Sequence, residues 1–286
     1  MPARKQSQYG TVDEEAGAIE HYLDPALYDH EYRRRRADLN FYRLLVEERI
    51  SGGHAGPILE LACGSGRLTV PLLRAGHTLI AFDRAPTMLK VARNRVARLP
   101  QGRREKALLF RADMRSFGLK TRVSVALAGF HSIQHLIEDA DVLACFRNVH
   151  ASLRSDGWFI FDVLPPHPHW MQEASVPRWS ARTFSHPVTK QCLRYGTTHV
   201  YDSERKALHM RLHYQAVGEE PEAARPEHIV RLCHRQFLPG DLDQLLDQSG
   251  FQVLARYSNF SVDAAESAES LVDARDEHIY IARPKR

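Results

Sequence analysis

Cysteine is scarce and scattered: Cys63, Cys145, Cys192 and Cys233 are the four among 286 residues. They show no paired spacing, which argues against a disulfide framework and against a zinc site. Apolar runs long enough to span a bilayer are absent. The start, Met1-Pro-Ala-Arg-Lys-Gln-Ser-Gln8, also lacks the apolar stretch of a secretory signal. Neither charge sign dominates. A formal charge of +4 is too mild to imply a nucleic-acid partner, and Arg33-Arg-Arg-Arg36 reads as a solvated helix face. These absences point to a cytoplasmic protein with no membrane and no nucleic acid among its partners. With 43% hydrophobic and 26% charged residues the chain is expected to be globular. Its length allows one large-sheet domain with an elaboration.

The most informative stretch present is Pro57-Ile-Leu-Glu-Leu-Ala-Cys-Gly-Ser-Gly-Arg67. An apolar strand runs into Glu60, and a Gly64-Ser65-Gly66 turn opens a helix near Leu68. Glycine at 64 and 66 permits a sharp turn and lets a ligand approach the main chain. The first N–H groups of the helix favour a carboxylate. Such a turn is shared by dinucleotide-binding folds and by S-adenosylmethionine-dependent methyltransferases. Three neighbours favour the second. Glu60 stands where a dinucleotide fold keeps apolar residues, and it can accept from a ligand ammonium or from loop N–H groups. The third glycine of the dinucleotide fingerprint falls on Thr69. The next strand, His77-Thr-Leu-Ile-Ala-Phe-Asp83, ends in an acid placed either to accept two ribose hydroxyls or to cap the helix after it.

Short apolar strands then alternate with helices. Lys106–Phe110, Val123–Ala128 and Trp158–Val163 continue the strand series, with helices at about Pro86–Leu99 and Asp139–Leu153. The expected fold class is α/β: a doubly wound, Rossmann-like, seven-stranded, mostly parallel sheet. After Pro165-Pro166 the pattern changes to Cys192–Tyr201, Ala207–Tyr214 and His228–Phe237, an antiparallel β insert between the fifth and sixth strands. Its place in the order suits a substrate lid. The expected organisation is a mobile tail at 1–18, a main domain at 19–165 and 238–286 that carries an N-terminal helical lid, and an insert at 166–237.

Four segments together resemble a class I S-adenosylmethionine-dependent methyltransferase, from Tyr22 to Pro284. They are Leu59–Arg67, Ala81–Leu89, Arg111-Ala-Asp-Met-Arg-Ser-Phe117 and Leu153–Asp162. The resemblance implies S-adenosylmethionine as cofactor and S-adenosylhomocysteine as product. It implies a cofactor site drawn from Glu60, Ala62, Gly64, Gly66, Arg67, Asp83, Arg84, Met88, Asp113, Met114, Gly129 and Phe130. In it Asp113 lies beside the adenine amino group with Met114 on the ring, unless Asp113 merely caps a turn. Arg67 either pairs with the methionyl carboxylate or faces solvent.

Within that family, Phe130-His-Ser-Ile-Gln-His-Leu136 looks like the small-molecule N-methyltransferases, including deoxysugar N,N-dimethyltransferases and glycine-type enzymes. Tyr22, Tyr28 and Tyr32 resemble their aromatic lid over the cofactor. The Asn/Asp-Pro-Pro-aromatic segment of nucleic-acid and protein-glutamine enzymes is replaced by Ala128-Gly-Phe-His131. His135, with His131 four residues before it and on the same face if the segment is helical, is the candidate base. Tyr32, His167, Arg211, His213 and Arg231 are candidates for a polar or acidic acceptor. His167-Pro-His169 and His209…His213 lack a third ligand, so no metal is expected. The expected partner is a small-molecule acceptor, with a homodimer possible. The competing readings are a natural-product O-methyltransferase, a non-catalytic subunit of the same fold, and a nicotinamide oxidoreductase.

Overall fold

The computed structural model describes residues 11–51, 56–172, 177–218, 227–261, 265–266 and 277–285. Most of the expected 1–18 tail lies outside them. Twelve strands are described: β1 (Ile58–Glu60), β2 (Leu79–Asp83), β3 (Ala107–Arg111), β4 (Val123–Ala128), β5 (Leu153–Val163), β6 (Arg178–Ser185), β7 (Cys192–Asp202), β8 (Ala207–Ala216), β9 (Glu227–Arg235), β10 (Phe251–Ser258), β11 (Ala265–Glu266) and β12 (His278–Pro284). They form two sheets, and the chain divides into two compact units, 33–165 with 237–286 and 1–32 with 166–236.

The first unit is built on the sheet β11-β10-β12-β5-β4-β1-β2-β3. Strands β1 to β5 pair in parallel, and β12 runs antiparallel to both β5 and β10. It is the expected mostly parallel sheet of seven strands, extended by the two-residue β11 at the edge. The apolar strands are continuous because both faces are covered. Side chains of β1 and β4 alternate, so Leu59 and Ala126 meet Val142 and Phe146 of helix Asp139–Ser152 on one face. Ile58 and Val125 meet Leu45 and Val46 of helix Ala37–Ser51 on the other. Strand order reverses at β1, and a crevice beyond the carboxyl ends of strands is expected at such a point.

The second unit is the antiparallel sheet β6-β7-β8-β9. It includes β6, a strand not anticipated from sequence. Helices Glu14–Gly17 and Pro25–Tyr32 fall in this unit, and helix Ala37–Ser51 falls in the first. Leu27 of helix Pro25–Tyr32 joins Leu193, Leu212, Tyr214, Val230 and Leu232 in one core. Helix Glu14–Gly17 lies so close to β9 that a β-carbon on Gly17 would fall 2.8 Å from Cys233 Cβ. Among the described residues no helix is long and apolar enough to cross a membrane.

Candidate active site

The loop after β1 follows from its backbone angles. Ala62, Gly64 and Gly66 all have positive φ, and the chain then enters helix Thr69–Ala75. Gly66 is the tighter constraint, since at φ +81° a β-carbon would sit 3.3 Å from Ala92 of the neighbouring helix Pro86–Ala97. Met88 of that helix is fully buried, and its Cε lies 3.6 Å from where a Gly64 β-carbon would be.

Two carboxylates frame this loop. Glu60, at the end of β1, is 4% exposed and accepts from the Thr69 hydroxyl at 2.7 Å. Burial pushes its carboxyl up to about 8, against the Thr69 hydrogen bond that lowers it. The departure from the dinucleotide fingerprint thus has a physical reason: a glycine at 69 would leave Glu60 without this donor. Asp83, at the end of β2, accepts from the Gly64 N–H and the Ala85 N–H, each at 2.7 Å. It ties the glycine turn to the start of the next helix, and burial raises its carboxyl despite these bonds.

Arg67 faces neither solvent nor an open position. Its guanidinium is paired with the buried Asp38 carboxylate, donates to the Arg35 carbonyl at 3.1 Å, and stands 4.7 Å from the Phe130 ring centroid. After β3, Asp113 is gripped by Arg115 through the backbone N–H (2.9 Å), Nε (3.0 Å) and Nη2 (2.8 Å). Partial burial raises its carboxyl, and the Arg115 bonds outweigh that, so it sits below its ordinary value. The turn-capping bonds leave an acceptor position over, because an ionised carboxylate has about four. Arg84 Nε lies 3.9 Å from Asp113, and Met114 is half-buried against the core.

Beyond β4 the chain turns through Gly129, Phe130 and His131, the last two with φ near +60°. Asp162 of β5 holds this turn. It accepts the Phe130 N–H at 2.7 Å, the His131 N–H at 2.8 Å and the Tyr42 hydroxyl. Burial pushes its carboxyl up to about 6. A β-carbon on Gly129 would lie 3.3 Å from the Tyr42 ring, so glycine lets the turn close on that tyrosine. His131 is buried, its Nε2 lies 3.5 Å from Asp162, and burial lowers its pKa to about 4, which keeps it neutral. Ser132–His135 is a 3₁₀ turn, not an α-helix, so His131 and His135 do not share a helical face. His135 is half-buried at its end, and Gln134 clamps the turn to Leu164 through two hydrogen bonds. Asp162 and Tyr42 at the turn and Asp38 beside Arg67 were not singled out by the sequence.

In the second unit, Tyr22, Tyr28 and Tyr32 surround the buried His21, at 5.5, 5.3 and 6.0 Å between ring centroids. His213 is engaged at both ring nitrogens, by Thr198 Oγ1 at 3.0 Å and Glu227 at 2.8 Å, and so staples strands rather than offering an open group. Arg231 is paired with Glu20 and stands opposite Arg211 across β8 and β9. His167 lies beside Trp170, ring to ring at 5.4 Å.

Comparison with known proteins agrees with this geometry. Residues 58–157, which span β1 to the start of β5, match the methyltransferase domain family Methyltransf_25. A dTDP-3-amino-3,6-dideoxy-α-D-glucopyranose N,N-dimethyltransferase from Streptomyces fradiae is 29% identical over 204 residues, 71% of each chain. The CcbJ methyltransferase of Streptomyces caelestis has the same fold, with a TM-score of 0.71 at 20% identity over 96% of this chain and 100% of that one. The glycopeptide N-methyltransferase MtfA, solved with S-adenosyl-L-methionine, follows at a TM-score of 0.58 and 22% identity over 87% of both chains. Residues 58–157 thus match a methyltransferase domain, and the sheet that carries them has the fold of the solved methyltransferases.

Proposed function

We propose that the chain is an S-adenosylmethionine-dependent methyltransferase that acts on an amine nitrogen of a small molecule of the amino-sugar kind. The observation that carries the reading is the turn after β4, where Asp162 locks Phe130 and His131 in place and the chain continues to His135. It offers imidazoles where a planar-amide methylase would carry Asn/Asp-Pro-Pro-aromatic. The names of the Streptomyces fradiae relative and of MtfA, both N-methyltransferases, support the same choice.

The residues present fit the cofactor. Glu60 is a buried carboxylate with an elevated pKa, a state that a ligand ammonium would relieve. Asp83 has oxygens suited to ribose hydroxyls, and Gly64 and Gly66 keep side chains off the loop. Asp113 and Met114 suit an adenine edge and face, and Ala62, Arg84, Met88, Gly129 and Phe130 complete the walls. Arg67 contributes through its pair with Asp38 rather than as a bare cation. When bound, S-adenosylmethionine supplies a methyl group on a sulfonium, already a good leaving group.

The chain's own work is alignment and proton removal. Holding two reactants in line is worth roughly 7–11 kcal/mol in favourable cases. His135 takes the proton from the acceptor nitrogen, and the neutral His131 packs behind the turn. His135→Ala is expected to lower kcat by about 10²–10⁴-fold and to flatten the acidic limb of the rate profile. Methyl-labelled cofactor with pools of amino sugars and hydroxylated analogues tests the whole reading. Label on nitrogen supports it, and label on oxygen alone overturns it. Cytoplasmic location and a homodimer belong to the same reading, the second checked by light scattering.

A further inference from the structure

Glu31, on helix Pro25–Tyr32, is mostly buried, with 18% of its side chain exposed. One carboxylate oxygen accepts from the Tyr214 hydroxyl. The other lies 3.7 Å from His21 Nε2, beyond hydrogen-bond range. His21 is 7% exposed, and its Nε2 has no hydrogen-bond partner. Buried polar atoms are nearly always paired, so an orphan aimed at a half-satisfied carboxylate calls for a cause. Tyr22, Tyr28 and Tyr32 ring this position, and the Tyr195 ring lies tilted against Tyr214 at 5.6 Å.

The chemistry of the pair is specific. Burial holds His21 neutral, with its pKa lowered to about 4, so Nε2 can act as an acceptor. Two acceptors a few ångströms apart are satisfied together by a group with two N–H donors. A hydroxyl has one donor, and an anion would be repelled by Glu31. Tyrosine faces favour a cation. We infer that Glu31, His21 and the surrounding tyrosines form a site, within this unit, for a protonated primary or secondary amine. The inference rests on the amine reading given above and names the residues that recognise the amine.

Titration provides a signature. Glu31 is pushed up to about 7, chiefly by burial and secondarily by Asp24, while the Tyr214 bond opposes the shift. His21 stays neutral, and burial raises the Tyr195 and Tyr214 hydroxyls well above their ordinary values. Asp24 caps Ala26 and Leu27 and is bonded by His186, and His30 stacks on Phe184. Amine binding to the ionised carboxylate should therefore tighten about tenfold from pH 6 to pH 8.

The test uses cyclohexylamine, which stays protonated over this range, against cyclohexanol, titrated by ligand-observed NMR into the full-length protein. The wild type is expected to bind the amine at least tenfold more tightly than the alcohol, with the stated pH dependence. Glu31→Gln is expected to lose that preference and the pH dependence while still binding S-adenosylhomocysteine. Tyr214→Phe removes the bond that lowers the Glu31 pKa, so the pH midpoint should move upward. Should Glu31→Gln fail to fold, that displacement decides alone. Equal binding of amine and alcohol, a flat pH profile, or an unmoved Tyr214→Phe midpoint overturns the inference, leaving His21 and Glu31 as a structural pair. Label on oxygen with amine binding intact would sink the amine-acceptor reading but not the subsite. Label on nitrogen with an unchanged amine KM in Glu31→Gln would do the reverse.

Discussion

Replacing Glu60 by glutamine should make the ligand-free protein more stable and its cofactor site worse. Glutamine keeps the shape and can still accept from the Thr69 hydroxyl, but it does not ionise. In the folded chain Glu60 holds its proton up to about pH 8, whereas the unfolded chain releases it near 4.5. Between those values the unfolded state binds fewer protons, so wild-type stability falls as pH rises through that window and levels off above it. Moving a carboxyl from 4.5 to about 8 amounts to about 5 kcal/mol by the time both states are ionised. For a chain of this size that is roughly 10–20 °C in Tm, at about 2–4 °C per kcal/mol. Calorimetry of both proteins from pH 5 to 9 should give curves that nearly meet at the acid end and separate steadily to pH 8. S-adenosylmethionine should then raise Tm more in the wild type, because its ammonium has a carboxylate to meet there. A separation that does not change with pH would refute the buried-carboxyl reasoning. Equal cofactor affinity in both proteins would remove Glu60 from the site.

Asp162→Ala leaves the Phe130 and His131 N–H groups and the Tyr42 hydroxyl without their acceptor. At about 1–3 kcal/mol for each buried orphan, the variant should lose methyl transfer and melt well below the wild type, by calorimetry and a labelled-cofactor assay. Gly66→Ala places a β-carbon 3.3 Å from Ala92 at φ +81°, so a loss of about 1–3 kcal/mol and weaker S-adenosylhomocysteine binding are expected by thermal shift.

The strands and the glycine turn were legible because their signals are local. Continuous apolar runs gave β2 and β4 with their observed ends or within two residues of them, and the acid closing β2 stood where a parallel-sheet ligand site needs it. What stayed hidden depends on partners far away in sequence. Asp162 looks like the polar end of an apolar strand, yet its three donors lie 31, 32 and 120 residues earlier. Asp38 meets Arg67 across 29 residues, and Glu31 meets Tyr214 across 183. Strand β6 escaped because Arg178–Ser185 has no fully buried position, so an apolar alternation never develops. The packing of Leu27 and Gly17 on the antiparallel sheet was hidden too, since nothing local indicates it. The 3₁₀ turn at Ser132–His135 was equally hidden, because it is imposed by two left-handed residues held from β5.

The three buried carboxylates of β1, β2 and β5 differ in how far the chain itself answers their charge. Glu60, Asp83 and Asp162 are all raised by burial, so each resists carrying its charge in the folded chain. Asp162 is surrounded by donors from the chain itself, and its upward displacement is the smaller of the two that carry a value. Its charge is already answered by the turn it holds. Glu60 is bonded by Thr69 and displaced further, so much of its charge is left for something else to answer. A cationic ligand lowers the pKa of the carboxylate it touches and leaves the other where it was. Binding should therefore release or retain a proton according to Glu60 alone: near pH 7, where Glu60 is mostly protonated, S-adenosylmethionine binding should release a proton, and in Glu60→Gln it should release none. Calorimetric titration in buffers of different ionisation enthalpy measures that proton directly. An undiminished release in the glutamine variant would mean that another group answers the ammonium.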